Sequence, residues 1–388
     1  MRHTSAQFVA NAHAALNDAG LQPVLNAVAL FLPAMRAGVM AQTPDFEAMR
    51  DYAVRMKDHT LEHLDSYLAD FEARVSERGG HVHHAATAAD LNRIVDNFDL
   101  EHFLKQFEES GADWLIFTLG QGTGYLSSRN EFIDGLEAGF TPRRDLIPEI
   151  GRQLHQRGKR MIIYVPGAHT AADPMVKRLL GLGTEGYADR HNEFIRHYSL
   201  KLGTLCDGWW FDSCGRQEDA VWRKEMDACR AGNPDSVVAF SGAEFCASGG
   251  QLKPICPSED YHAGEIHLLE NGRIRTDFVW PPGEGILITA DGKLRKAGQE
   301  ARFYLPDSQF IDNVQWHCLL PIDLTFNPAV PNQFCHYTDK ELFRFTDDVK
   351  SVGGAITINV PIEVETGHVP QDSLAQLVRL AKHLKSQD

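Results

Sequence analysis

From Gly80 onward the chain repeats one grammar: a short apolar run, a turn, a capped helix, then another apolar run. That alternation narrows the fold more than any other feature, because a strand followed by a crossover helix delivers the next strand parallel to the first. Asp99 is placed to cap a helix carrying Phe103, Leu104 and Phe107, which Gly111 ends, and Trp114–Leu119 follows as a strand. Thr141-Pro142 opens a helix with Leu146, Ile147, Ile150 and Leu154; Gly158 closes it before the strand Met161–Val165. A helix through Phe194, Tyr198 and Leu202 stops at Gly203 and leads into Gly208–Phe211. Val237–Ser241, Tyr261–Ile266, Asn313–His317 and Ala355–Val360 extend the set, with His81–Ala86 as its first member. About eight strands predict an α/β fold, a (β/α)8 TIM-like barrel over 79–388. The Gly-, Pro- and charge-rich stretch near 270–306 is expected to be an irregular insertion.

Residues 1–78 read instead as an all-α helical module. Thr43 can cap and Pro44 can take the first helical position. Apolar residues then recur at Phe46, Met49, Ala53, Met56, Leu64, Leu68, Phe71 and Val75, spaced to form one stripe, and Gly79-Gly80 ends the helix. Such a stripe needs a facing partner: the earlier segments around 8–16 and 24–40, or a second subunit. A homodimer is the expectation.

Charge and cysteine usage exclude several classes. Lys and Arg total 38 against 53 acids, a net charge of −15 that disfavours nucleic acid and anionic membrane as partners. No run approaches the ~18 apolar residues of a spanning helix. The longest candidate, Val28–Leu32, is soon broken by Pro33 and Arg36. No basic region followed by a long apolar core marks a signal peptide. The seven cysteines lie between Cys206 and Cys335 without a C-x-x-C pair, which predicts reduced thiols in a cytoplasmic protein rather than a disulfide framework or a zinc knuckle.

In a parallel barrel, chemistry belongs at the C-terminal ends of the strands. Asp212 closes the apolar run Gly208–Phe211 there, flanked by aromatic surface suited to a sugar ring; as an alternative it could merely cap the next helix. Glu259 and Glu265 bracket a short strand, and Glu244 follows Val237–Ser241. His81 and His83 alternate on one strand and could pair on a metal, with His262, His317 and His336 as later candidates; a structural role is the commoner fate of such residues. Gly120–Gly124 follows a strand but lacks the helix-opening glycine of a nucleotide loop, so it reads as a substrate-facing turn. Cys214 is without an evident histidine partner in sequence and reads as structural.

Two family resemblances overlay this reading. Residues from about 41 to 89, through Lys57–Asp65, Tyr67-Leu68, Phe71-Glu72 and Gly79–His83, resemble the N-terminal helical part of the lactate-utilisation iron–sulfur proteins. The cluster-binding cysteines of those proteins have no counterpart, so only the helical module carries over. The C-terminal three quarters resembles the alpha-L-fucosidase family of retaining glycosidases. Val82–Ala85 sits where that family has a first-strand Ile-His-Trp-Gly, Asp113–Thr118 matches its second strand, and Gly353–Pro361 with Val369-Pro370 its closing strand. Trp210-Phe211-Asp212 matches its Trp-Phe-Asp-Gly, whose aspartate is the nucleophile, with Ser213 in place of the glycine. The family's Lys-His-His-Asp-Gly after strand two is replaced by Leu119–Gly124.

The resemblance implies a glycoside hydrolase with Asp212 as nucleophile and Glu265 as acid/base, Glu259 and Glu244 standing as alternative acids. His83, Trp114, Gln121, Tyr125, Trp209 and Trp210 are expected around a carbohydrate or other small-molecule substrate, with no cofactor and no metal. The rival readings are a non-catalytic sugar-binding or scaffolding barrel and a metal-dependent hydrolase using His81 and His83.

Overall fold

The computed structural model describes residues 45–77, 88–120, 125–165, 177–214, 218–242, 254–266, 269–275, 286–288, 294–296, 303–322, 337–363 and 366–386. The chain divides into two compact units, Met1–Val82 and His83–Asp388.

In the first unit the expected single helix is two, α1 (Phe46–Glu62) and α2 (Leu64–Glu77), parted at His63. At the junction the His63 Nδ1 shares the His59 carbonyl with the His63 amide, and the His59 and His63 rings sit 4.3 Å apart. Thr43 and Pro44 lie outside the described residues, and Asp45 stands at the cap position without a side-chain bond. Four members of the stripe, Met49, Met56, Leu64 and Leu68, are exposed.

In the second unit α3 (Ala88–Asn97) and α4 (Leu100–Ser110) precede strand β1 (Trp114–Thr118). Asp99 caps α4 by accepting the His102 amide, and Gly111 closes it, as the sequence predicts. α5 (Glu131–Leu136), α6 (Leu146–Gln156), β2 (Arg160–Val165), α7 (Tyr187–Leu202), β3 (Gly208–Phe211), α8 (Asp219–Cys229) and β4 (Val237–Phe240) follow. α6 starts later than Thr141-Pro142 suggests, because the Thr141 hydroxyl is drawn to Asp134 at 2.6 Å instead of capping a helix. β5 (His317–Pro321), α9 (Asp339–Ser351), β6 (Ala355–Asn359) and α10 (Gln371–Lys385) complete the unit.

β1 to β4 form one parallel sheet in chain order, and β5 pairs in parallel with β6. Between these groups runs 260–266. Its Asp260 amide bonds Val238 of β4, while Tyr261 and Glu265 bridge in parallel to Gln315 and Leu319. This segment was expected as a regular strand. It is reduced to isolated bridges because Gly264 takes φ +67, a left-handed conformation that breaks the pleat and brings its backbone against the His317 carbonyl. The strand expected at Asn313–His317 is likewise shifted: Val314-Gln315 belongs to a short hairpin, and β5 runs on to Pro321.

The two faces of the sheet are sorted by the period of two. Trp209 and Phe211 point into the large core beneath the helices, with Phe194, Tyr198 and Trp222. Trp210 points the other way, into a cluster with Ile162, Ala239, Tyr261, Ala263 and Leu319, edged by Trp114, Ile116 and Tyr164. The indole of Trp114 on β1 donates to Thr357 on β6 at 2.8 Å, so side chains link the first and last described strands. The expected irregular insertion contains short antiparallel strands: Leu269-Glu270, Arg273–Arg275 and Phe303-Tyr304 in one sheet, Ile286–Ile288 with Leu294–Lys296 in another.

Candidate active site

Parallel strands present one set of ends together, and three of them meet around Asp212. Asp212 leaves β3 with its amide still bonded to Val165 at the end of β2. Its Oδ2 accepts the Tyr164 hydroxyl at 2.6 Å, a short bond of the charge-assisted kind. Tyr164 is itself fixed by stacking on Trp210, ring centroids 5.0 Å apart and 14° from parallel. Ser213 then takes φ +54, the left-handed region that glycine adopts without penalty. The turn is held to β4, where the Ser241 amide bonds Phe211 and the Ser241 carbonyl accepts the Cys214 amide.

Ser241 also links the turn at Asp212 to a second acid. Its hydroxyl donates to Glu265 Oε2 at 2.8 Å. Asp212 and Glu265 thus stand at the same end of parallel elements on either side of β4, both half-exposed. Two strand spacings set backbones roughly 9–10 Å apart, which inward-leaning carboxyl groups can shorten. Sequence reasoning missed Tyr164 and Ser241. The available signal was parity and position: each lies at the C-terminal end of a predicted strand beside Asp212, Tyr164 one residue short of it, on the face shared by Trp210 and Ala239.

Other predicted residues are placed elsewhere. Glu259 is buried, with Oε2 taking the Phe240 amide and Oε1 the Ile255 amide. It ties a loop to β4 rather than reaching substrate, and burial pushes its carboxyl up to about 8 against those amide bonds. Trp209 is wholly buried on the helix side, its indole bonded to the Cys229 carbonyl; this position excludes substrate contact. Trp210 is 1% exposed and donates to the Ala263 carbonyl, so it supports Tyr164 from beneath. Trp114 is the first residue of β1 and therefore lies at the opposite end of the sheet from Asp212. There it lines a cavity of about 630 Å³ with Arg160, Ile162, Asp207, Asn233 and Val237. Tyr125 does follow β1 at the Asp212 end and stacks on Phe140, centroids 5.9 Å apart. His81, His83, Gln121 and Glu244, with His336, lie outside the described residues.

Cys214 is buried and its thiol is pushed well up by that burial, which suits the structural reading. His317 donates from Nδ1 to the His262 carbonyl, so its Nε2 accepts the Thr357 hydroxyl. Burial holds both His317 and His262 down near about 4.

With this geometry in hand, comparison with known proteins is informative. No protein-family profile matches the chain. Its fold is that of glycoside hydrolases. It is similar to an endo-fucoidan hydrolase from glycoside hydrolase family 107, with TM-score 0.53 and 19% identity over 76% of this chain and 51% of that one. It is also similar to alpha-L-fucosidase AlfC from Lactobacillus casei, with TM-score 0.50 and 12% identity over 75% of this chain and 80% of that one. A separate, shorter likeness is to lactate utilization protein B of Geobacillus kaustophilus, 37% identical over 75 residues, 19% of this chain and 16% of that protein. The Escherichia coli uncharacterized electron transport protein YkgF is 36% identical over 62 residues, 13% of its length. The chain thus spans under a fifth of these curated relatives and about half of the fucoidan hydrolase. Both resemblances seen in the sequence hold.

Proposed function

We propose that the chain is a retaining glycoside hydrolase whose parallel strands close as a (β/α)8 barrel; the first strand expected from the sequence, 81–86, lies outside the described residues. The observation that carries the reading is the pairing of two half-exposed carboxyl groups at one end of the sheet, each oriented by a hydroxyl: Asp212 by Tyr164 and Glu265 by Ser241. A hydroxyl orients a carboxylate without cancelling its charge, which is what a nucleophile requires.

In the first step an Asp212 oxygen bonds to the anomeric carbon while the glycosidic C–O bond breaks, and Glu265 delivers its proton to the leaving oxygen. In the second, Glu265 takes a proton from water, the water oxygen attacks the anomeric carbon, and Asp212 is released. Retention needs the carboxyl groups ~5–5.5 Å apart. The similar hydrolases are named for fucoidan and alpha-L-fucose, so aryl alpha-L-fucosides come first in a panel of aryl glycosides. Release of the aryl group with net retention at the anomeric centre, abolished by Asp212→Asn, is the expected result. Inversion would reassign Asp212, and binding without turnover across the panel would favour the sugar-binding reading. Tyr125, His83 and Gln121 are the side chains we assign to substrate contact.

The helical unit completes the reading. Met49, Met56, Leu61, Leu64 and Leu68 are each more than 40% exposed. Burying such side chains is worth ~1.5–3 kcal/mol apiece, which supports pairing with a second copy as a homodimer. The described cysteines, Cys206, Cys214, Cys229, Cys256 and Cys318, are free and buried, in keeping with a cytoplasmic setting. No described helix is long and apolar enough to cross a membrane.

A further inference from the structure

A second cluster of metal-ligating side chains lies where α4 meets the loop before α10. Asp99, His102 and His368 each offer a ligand atom, all within 4.8 Å of one another. The three are brought together by backbone order and not by side-chain reach alone. Asp99 is the α4 cap: its Oδ1 accepts the His102 amide at 3.1 Å, which leaves Oδ2 turned toward His368 Nε2, 3.4 Å away. The Asp99 amide bonds the Thr366 carbonyl at 2.9 Å. Gln106, on the same helix, exchanges two 2.8 Å bonds with the backbone of Val369. His368 is thus fixed on both sides, and its ring stacks on that of His102 with centroids 3.8 Å apart.

We propose that Asp99, His102 and His368 form a binding site for a divalent transition metal of the zinc class, which clips the loop before α10 to the start of α4. Imidazole nitrogen with carboxylate oxygen suits zinc, cobalt or nickel; calcium and magnesium prefer all-oxygen shells. Bonds of ~2.0–2.1 Å set tetrahedral donors roughly 3.4 Å apart. The present spread is closed by small side-chain rotations, cheap for the half-exposed Asp99 and the exposed His102. Three protein ligands leave a fourth position for water. The role is structural: the clip joins the segment after β6 to the helix before β1, and Asp212 chemistry does not pass through it.

The test uses the full chain, stripped with a chelator and titrated with zinc chloride by calorimetry, alongside melting curves with and without the metal. The site predicts one equivalent bound at these residues and a higher melting temperature with zinc. His102→Ala and His368→Ala should each weaken that binding at least tenfold and abolish the thermal shift, while Asp212→Asn leaves both intact. Cobalt(II) substitution gives a second readout, visible absorption of a four-coordinate site that either histidine variant loses. Absence of zinc binding at 100-fold excess over protein overturns the proposal. So does binding, or a cobalt spectrum, that survives both substitutions, since other histidines would then be the ligands.

Discussion

Asp207 and Asp212 flank β3 at its two ends, and the fold treats them differently. Asp207, at the N-terminal end, is held by side chains and backbone: His155 at 2.8 Å, Arg160 at 2.9 Å and the Met161 amide at 2.8 Å. Asp260 at the same end behaves alike, gripping Arg230 through both oxygens and accepting the Val238 amide. At the C-terminal end, Asp212 and Glu265 are met by the hydroxyls of Tyr164 and Ser241. Carboxylates at one end tie elements together; at the other they are aimed. The 630 Å³ cavity lies at the tying end.

The sharpest way to break this contrast is to neutralise each acid in turn. Asp212→Asn should lower turnover by on the order of 10⁴-fold with an unchanged melting temperature, read by steady-state kinetics and calorimetry. Acid should then separate the ends. His262 and His317, near the N-terminal end, are held near about 4 by burial, below the ordinary ~6.5 of an unfolded chain. A depressed value gives stability that is present above ~6.5 and lost as pH falls toward about 4, so the unfolding free energy from urea titrations should drop across that window by an amount on the order of a few kcal/mol. His317→Gln should flatten the slope; an unchanged slope in that variant would mean other groups control it.

Asp207→Ala should reverse the Asp212 result. It strips a partner from the Arg160 guanidinium, the His155 ring and the Met161 amide, costing roughly 2–3 kcal/mol of stability while folded protein keeps its kcat. A kcat loss larger than tenfold at constant fold would erase the distinction between the ends. Tyr164→Phe removes one hydrogen bond to a charged group, worth ~1.5–3 kcal/mol, so kcat/KM should fall about 10- to 100-fold without a change in melting temperature. Ser213→Gly is the smallest test. Relief of the left-handed φ +54 should raise stability by up to ~1 kcal/mol, and a loss of stability would indicate a hydroxyl contact at that turn.

Much of this was legible in the sequence. Runs such as Met161–Val165 and Gly208–Phe211 are strands because apolar, β-branched and aromatic residues are bounded by glycine and charge, and Asp212 stands out as the acid that ends one. Strand polarity was available too and went unused: Trp114 begins its strand, so it could not share an end with Asp212. Parity also decides between Trp209 and Trp210, since only Trp210 shares a face with Asp212. The short hairpin through Asn271-Gly272, both at positive φ, carries the strongest local turn signal in the insertion, yet net polarity masked it. Other features were out of reach. Glu259 looks like any surface acid until the Phe240 and Ile255 amides are seen to hold it. The left-handed Gly264 that reduces 261–266 to bridges depends on the close approach of the His317 backbone, a contact across more than fifty residues.

The central claim is that Asp212 forms the bond to the sugar. It is tested most directly by incubating the protein with an activated 2-deoxy-2-fluoro-alpha-L-fucosyl donor, with other fluorosugars alongside, and weighing the intact chain by mass spectrometry. The account predicts a gain of one fluoroglycosyl unit per chain, mapped to the peptide containing Asp212 and absent from Asp212→Asn. Turnover of the parent glycosides with no adduct, or an adduct on another carboxylate, would contradict it.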